Sequence, residues 1–195
     1  KVMGIFGGDL NALSRINKDK ATAESLKKVK EMWLPIREAL QKPPEKEMAA
    51  KMQEDLETLL KQANEATGLF AKQTGKASGK IINISGRQRM LSQRMASLYM
   101  LKVWGVDDPK FREKMNQAME LFSTSLQTLM DSDMNTPEII TLLKKAKKSF
   151  MFFEMMNKSK SKFIPALIFK KSNEILKDMN TVTVLYAAQE NKEEQ

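Results

Sequence analysis

Three arginines stand in the stretch Ile82-Asn83-Ile84-Ser85-Gly86-Arg87-Gln88-Arg89-Met90-Leu91-Ser92-Gln93-Arg94-Met95, with no acidic residue among them. A guanidinium offers a planar fork of donors that matches the oxygens of a small anion. Cations without acids nearby are balanced by water or by an anion from elsewhere. The chemistry this stretch offers is anion binding, and its candidate residues are Arg89, Gly86, Arg87, Asn83, Gln93 and Arg94. The plainer alternative is that these arginines are solvated, as on most amphipathic helices, with Gly86 easing helix packing and Asn83 making a polar contact between helices.

Read as a helix, the stretch divides its own side chains. Residues advance about 100° each. Taking Ile84 as zero, Leu91, Met95 and Leu98 fall within roughly 40° of it and form a core stripe. Asn83, Arg87 and Arg94 cluster to one side. Arg89 falls on nearly the opposite face, beside Ile82, Gly86, Gln93, Ala96 and Met100. Glycine and alanine allow a second backbone to come close. Two copies meeting there across a two-fold axis would bring two Arg89 side chains together. An anion between them would relieve their repulsion and shift the helices, which is a signalling device.

Other chemistries find no support. The 195 residues include no cysteine and no histidine. Disulfides, the usual zinc sites, thiol chemistry and histidine-based triads are excluded. Glu154 and Glu174 suggest an acid pair, but no second motif accompanies them. A di-metal carboxylate bundle needs Glu-x-x-His pairs. The expectation is a non-enzyme with no cofactor.

The net charge of +9 comes mostly from lysines spread through every predicted helix, with acids beside most of them. That pattern reads as a solvated surface rather than a nucleic-acid footprint, and no zinc-finger, basic-zipper or RNA-binding signature is present. The fifteen methionines read as core filler. Trp33, Trp104 and the Phe150-Met151-Phe152-Phe153 cluster read as core and module-junction residues. No apolar run is long enough to span a membrane. No signal peptide is visible, and a start at Lys1 suggests that upstream sequence has been removed.

The elements that position these residues are helices throughout. Apolar residues recur at three- and four-residue spacing, as in Leu56, Leu59, Leu60, Ala63 and Ala66, and no alternating strand pattern occurs. Asp108-Pro109 and Thr136-Pro137-Glu138 each set an N-cap residue before a proline at the first helical position. Pro165 opens another helix after the polar run from Asn157 to Lys162. Helices are expected over 20–41, 45–74, 79–104, 109–132, 137–157 and 163–190, with a short one near 9–17. Pro35 should kink or split the first long helix.

Three segments repeat at a steady offset of about 116 or 117 residues. Leu26-Lys27-Lys28 matches Leu143-Lys144-Lys145, with Trp33 opposite Phe150. Leu60-Lys61, Asn64, Thr67 and Leu69 match Leu176-Lys177, Asn180, Thr183 and Leu185, and Phe70 pairs with Tyr186. Phe6, Leu10 and Leu13 match Phe122, Leu126 and Leu129. The expected organisation is an incomplete helical module over 1–78 and a complete antiparallel four-helix module over 79–195. The first lacks the opening helix of the second, so its apolar face needs that helix, a partner chain or the other module. Thr74-Gly75-Lys76-Ala77-Ser78-Gly79 between them is either a turn or a weak spot in one long helix.

The string Gly86-Arg87-Gln88-Arg89-Met90-Leu91-Ser92-Gln93-Arg94-Met95, continuing through Ala96-Ser97-Leu98-Tyr99 to Trp104-Gly105-Val106-Asp107-Asp108-Pro109, resembles the PilJ-type sensor domain, the N-terminal domain of type IV pilus chemotaxis transducers. The tandem modules look like exported, stand-alone members of that family. A more distant similarity links Ile82-Asn83, Gly86, Arg89-Met90, Ser92 and Arg94 to the periplasmic domains of nitrate/nitrite sensor kinases. That resemblance implies that Arg89, matching the arginine before their Met, binds nitrate at a dimer interface. Two departures stand out: Arg87-Gln88 replaces a small, apolar pair, and Gln93 replaces a tyrosine. Together the resemblances imply a periplasmic sensor that binds a small oxyanion such as nitrate or nitrite, forms a homodimer and signals to a membrane receptor or kinase. The rival is a protein-interaction module of a chemoreceptor, sensor kinase or type IV pilus system, with no small ligand.

Overall fold

A computed structural model describes residues 2–74, 77–106, 108–158 and 164–192. Among them are seven helices and no strand, which makes the chain all-α. It divides into two compact units, Lys1–Gly75 and Lys76–Gln195. The first holds α1 (Val2–Ile16), α2 (Lys20–Ala39) and α3 (Lys46–Thr74); the second holds α4 (Ala77–Val103), α5 (Pro109–Met130), α6 (Pro137–Lys158) and α7 (Pro165–Lys192). Whether the chain turns or runs on as a helix at Gly75-Lys76 lies outside the described residues, as does most of the polar run before Pro165.

The helix starts follow their capping chemistry. Asp108 Oδ1 accepts from the Lys110 amide at 2.8 Å, with Pro109 at the first helical position of α5. Thr136 Oγ1 accepts from the Ile139 amide at 3.3 Å at the head of α6. Asp19 accepts from both the amide and the hydroxyl of Thr22, at 2.8 Å each, and caps α2. The amide bond is the largest influence holding its carboxyl below the usual aspartate range. Gly105 takes a left-handed φ of 83° just after α4 and lets the chain turn into α5.

Two expectations about helices are corrected. Pro35 does not split α2, which runs unbroken to Ala39. Pro35 is exposed while Trp33 and Ile36 on either side are buried, so the lost backbone bond falls on the solvent side and packing holds the rest. The first helix begins at Val2 instead of near residue 9, despite Gly4, Gly7 and Gly8. A Cβ at Gly7 would stand 3.9 Å from the Trp33 indole nitrogen, and the Phe6 ring meets Trp33 edge-on with centroids 4.7 Å apart. That aromatic contact offsets the roughly 1 kcal/mol each helical glycine costs.

In the second unit α4 packs against both α5 and α7, α6 against α7, and α5 more lightly against α6. In the first unit α2 packs against α3 and more lightly against α1. Positions about 116 or 117 apart take matching places in the two cores. Thr22, Leu26, Val29, Trp33 and Ile36 are buried on α2, and Ile139, Leu143, Ala146, Phe150 and Phe153 on α6. Phe6 pairs with Trp33, and Phe122 stacks on Phe150 with centroids 4.5 Å apart. Trp104, by contrast, is 43% exposed, and Met48, Met151 and Met155 are exposed too, so neither the second tryptophan nor every methionine fills the core.

Candidate functional site

The arginine stretch lies in α4, whose surroundings explain its unusual composition. From Ile81 to Val103 no residue is exposed; each is buried or part-buried. A helix with a solvent face needs polar residues on one side only. This one is polar on several sides because neighbours lie on several sides.

The core stripe of Leu91, Met95 and Leu98 is buried, but it is wider than the helical wheel alone indicates. Ser85, Gln88, Ser92, Ala96 and Tyr99 are buried with it, while Ile84 is only part-buried. Gln88 points towards α5, where its Nε2 donates to the Phe122 carbonyl at 3.1 Å. The serines satisfy themselves locally: Ser85 Oγ donates to the Ile82 carbonyl and Ser92 Oγ to the Arg89 carbonyl, both at 2.8 Å. Small, internally bonded side chains let the helices approach without stranding a hydroxyl.

Direct bonds join α4 to α7. Ser85 Oγ lies 3.0 Å from Thr183 Oγ1, and Gln93 Nε2 donates to the Ser172 carbonyl at 3.1 Å. Residue number rises on one helix as it falls on the other, so the pair is antiparallel. Arg89 stands midway between Ser85 and Gln93, one helical turn from each, on the edge that meets α7. It is part-buried, and its Nε is fully enclosed with no hydrogen-bond partner.

This differs from the face the wheel assigns to a second copy. Gln93 and Ala96, Arg89's neighbours there, are engaged inside the unit: Gln93 bonds to α7 and Ala96 is 6% exposed. The wheel gives angles around one helix, not the helices that fill them. Gly86 also behaves differently from expectation. A Cβ there would meet no atom within 4 Å, so open space rather than a close backbone lies beside it, one turn before Arg89 and Met90.

The remaining candidates stand elsewhere on α4. Asn83, Arg87 and Arg94 share the other flank, all part-buried, and Arg94 is engaged with a neighbour. The structure therefore brings Arg89, Gln93 and Gly86 to one side and keeps Asn83, Arg87 and Arg94 apart from them. Sequence reasoning passes over Ser85, Gln88 and Ser92, whose burial gives the seam its polarity. Their three- and four-residue spacing on the Leu91 side was the available signal.

The described acids of α7, Glu174 and Asp178, have other neighbours than Arg89. Glu174 accepts from Lys171 Nζ at 2.7 Å and from Ser149 Oγ of α6 at 3.0 Å. The Lys171 bond is the first cause of its carboxyl lying below the usual glutamate range, and the Ser149 bond adds to it. Asp178 is pushed up by burial, with Lys145 of α6 opposing. Both acids thus address the α6 side. Glu174 is a structural ion-pair member, which removes one half of the acid pair suggested by the sequence. No cluster of metal-ligating side chains occurs among the described residues, and no described helix is long and apolar enough to cross a membrane.

Residues 69–145, spanning all of α4 and α5, match the family model described as Type IV pili methyl-accepting chemotaxis transducer N-term, the PilJ family. This segment is PilJ-like. The family is a sensory and signalling one, not a catalytic one, and its description names the N-terminal part of chemotaxis transducers. The PilJ-like segment contains every candidate residue from Asn83 to Arg94. No curated protein and no solved structure matches the chain.

Proposed function

We propose that this chain is a sensory binding protein of a chemotaxis signalling system, in which Arg89 takes a small oxyanion at the α4–α7 seam and passes the event to a membrane receptor or kinase. The observation that carries the reading is the enclosed, unpaired Nε of Arg89 on a helix with no acidic residue. An unmet buried donor beside a fixed positive charge costs about 1–3 kcal/mol, and an anion removes that penalty. Because Ser85 and Gln93 tie α4 to α7 on either side of Arg89, an anion held there biases how the two helices sit. Gln93 and the open space beside Gly86 flank the Arg89 position. Arg87 and Arg94 add positive potential from the other flank, where Asn83 offers an amide donor. Nitrate and nitrite lead among the ligands because they are planar and small. A homodimer and a periplasmic location belong to this same proposal.

Calorimetry and thermal shift against nitrate, nitrite, sulfate and phosphate test it. A ligand at a hundred times its Kd stabilises the protein by about 2.7 kcal/mol. Arg89→Ala and Arg89→Lys should lose that response, while Arg87→Ala should keep most of it. If none of the four anions stabilises the protein, or if Arg89→Ala responds like the parent, the anion reading fails.

A second reading is a protein-interaction module without a small ligand. It is favoured by Met151 and Met155, exposed on successive turns of α6 at 58% and 52%. Adjustable, apolar methionines on a surface suit a partner helix. Receptor or kinase binding that survives Arg89→Ala but not Met151→Lys with Met155→Lys would select this reading.

A further inference from the structure

The second unit holds a cavity at the far end of α4 from its arginines. Its volume is about 230 Å³, and it lies where the end of α4 meets the start of α5 and the end of α6. The turn at Gly105 shapes it. The Gly105 amide donates to the Lys102 carbonyl at 3.1 Å and the Val106 amide to the Leu101 carbonyl at 2.9 Å, which stops α4 and swings the chain into α5. Because α5 and α6 pack only lightly on each other, the corner between them stays open. Its walls divide by chemistry. Leu98, Phe111, Met115 and Met156 are buried and form an apolar floor. Lys102 of α4 is part-buried and Arg112 of α5 exposed, so these two cations stand at the mouth. Asp108, the acid among the described lining residues, is committed to the α5 cap through the Lys110 amide. The described lining is therefore net positive above an apolar base.

We propose that this corner binds a small monocarboxylate with a compact apolar body, such as benzoate or a branched short-chain acid, at a site separate from Arg89. Size sets the body. An apolar cavity of roughly 150 Å³ takes benzene, so about 230 Å³ holds one ring or branched chain with a carboxylate and excludes a long chain. The floor rules out a bare inorganic anion, which would lose its water there and gain no donor. The mouth selects the negative charge, with cations offered from two walls. Lys102 and Arg112 are already engaged, so a carboxylate joins an existing polar cluster and need not rescue a stranded charge. At about 1.5 Å per residue, Leu98 and Lys102 stand roughly 14–20 Å along α4 from Arg89, too far for one small ligand to touch both ends.

Calorimetry on the full chain, with benzoate as the probe, should show saturable one-to-one binding. Acetate supplies the charge without the body, and benzyl alcohol the body without the charge. Each should bind at least about tenfold more weakly than benzoate. Arg112→Glu, at an exposed position, should weaken benzoate at least about tenfold and leave benzyl alcohol unchanged. Isotope-labelled methionine methyl groups locate the ligand in the unaltered chain. The Met115 and Met156 signals, assigned with Met115→Leu and Met156→Leu, should move with benzoate, while Met90 beside Arg89 should not. Four results overturn the proposal: no saturation by benzoate, benzyl alcohol binding as tightly as benzoate (the corner is then a plain apolar gap), an unchanged affinity in Arg112→Glu, or movement at Met90 in place of Met115 and Met156. The last would put benzoate at the α4–α7 seam. Nitrate binding is read at Arg89 and benzoate binding at Arg112 and the two methionines, so either can fail while the other stands.

Discussion

The two units use one three-helix frame under opposite conditions. In Lys76–Gln195 the frame closes around α4, and the aromatic pair Phe122–Phe150 is sealed, at 0% and 3% exposure. In Lys1–Gly75 the matching pair Phe6–Trp33 is retained, but Phe6 stays part-buried and the Trp33 indole nitrogen finds no partner. The α2–α6 correspondence is closest because that helix packs the same way in both. The α3–α7 correspondence loosens where α7 receives α4. A helix face is therefore kept buried by its neighbours rather than by its own sequence, and α4 contributes to the second unit as the piece that covers two neighbours at once.

The sharpest way to break this comparison is to remove the paired aromatics. Phe122→Ala should cost about 3–5 kcal/mol, because the cavity opens in a closed core. Phe6→Ala should cost less than half as much, because Phe6 is already part-solvated and the site can relax. Urea denaturation of both variants, following loss of helicity, reads the difference. Equal costs would mean that the first unit is as closed as the second.

A second contrast lies at the end of α7. Tyr186 is fully buried, and its hydroxyl lies 2.6 Å from Asn135 Oδ1, while Asn135 Nδ2 donates to the Leu129 and Met130 carbonyls at the end of α5. Burial pushes the phenol up to about 12, so it remains a neutral donor throughout the working range. Tyr186→Phe strands the Asn135 oxygen and should cost about 1–3 kcal/mol. The first unit already has Phe70 at the matching position, part-buried, and Phe70→Tyr should change stability by under about 0.5 kcal/mol. Thermal unfolding monitored by circular dichroism separates the two.

Much of this arrangement was legible in the residues. The capped starts at Asp108 and Thr136, the proline start at Pro165, the long uninterrupted helices and the repeat all follow from local chemistry and periodicity, which neighbours reinforce. What could not be read was how many neighbours each helix has. The wheel of α4 set Arg89 opposite a narrow core stripe. Seam contacts at Ser85 and Gln93, with buried Gln88 and Ser92, widen that stripe until Arg89 sits at its edge. The same limit applies to Pro35, where the buried residues on both sides override the proline's own tendency.

Arg89 tests whether the seam is built for strength or for binding. Arg89→Met keeps the length and removes the charge and the unpaired Nε. Without added anion this variant should be more stable than the parent by about 1 kcal/mol, since a stranded buried donor disappears. With a binding anion the order should reverse, because only the parent gains. A variant less stable than the parent in both conditions would mean that the guanidinium supports packing rather than a ligand.

The smallest expected effects separate two acids one turn apart on α7. Glu174 lies below its ordinary pKa because Lys171 and Ser149 bond to the carboxylate. Its contribution is present above the unfolded pKa and lost as pH falls through the lower folded value. Asp178 lies above its ordinary pKa because of burial, so its contribution is favourable below the unfolded pKa and lost as pH rises through the folded one. Glu174→Gln should therefore lower stability at neutral pH and reduce the loss on acidification, whereas Asp178→Asn should raise stability at neutral pH. Both changes should stay under about 1 kcal/mol, because the Glu174 side chain is partly solvated and Lys145 already offsets Asp178. Denaturation midpoints from pH 3 to pH 7 should diverge in opposite directions for the two variants. If both move the same way, Asp178 is held by its lysine in the same manner as Glu174, and burial at that turn of α7 is the weaker influence.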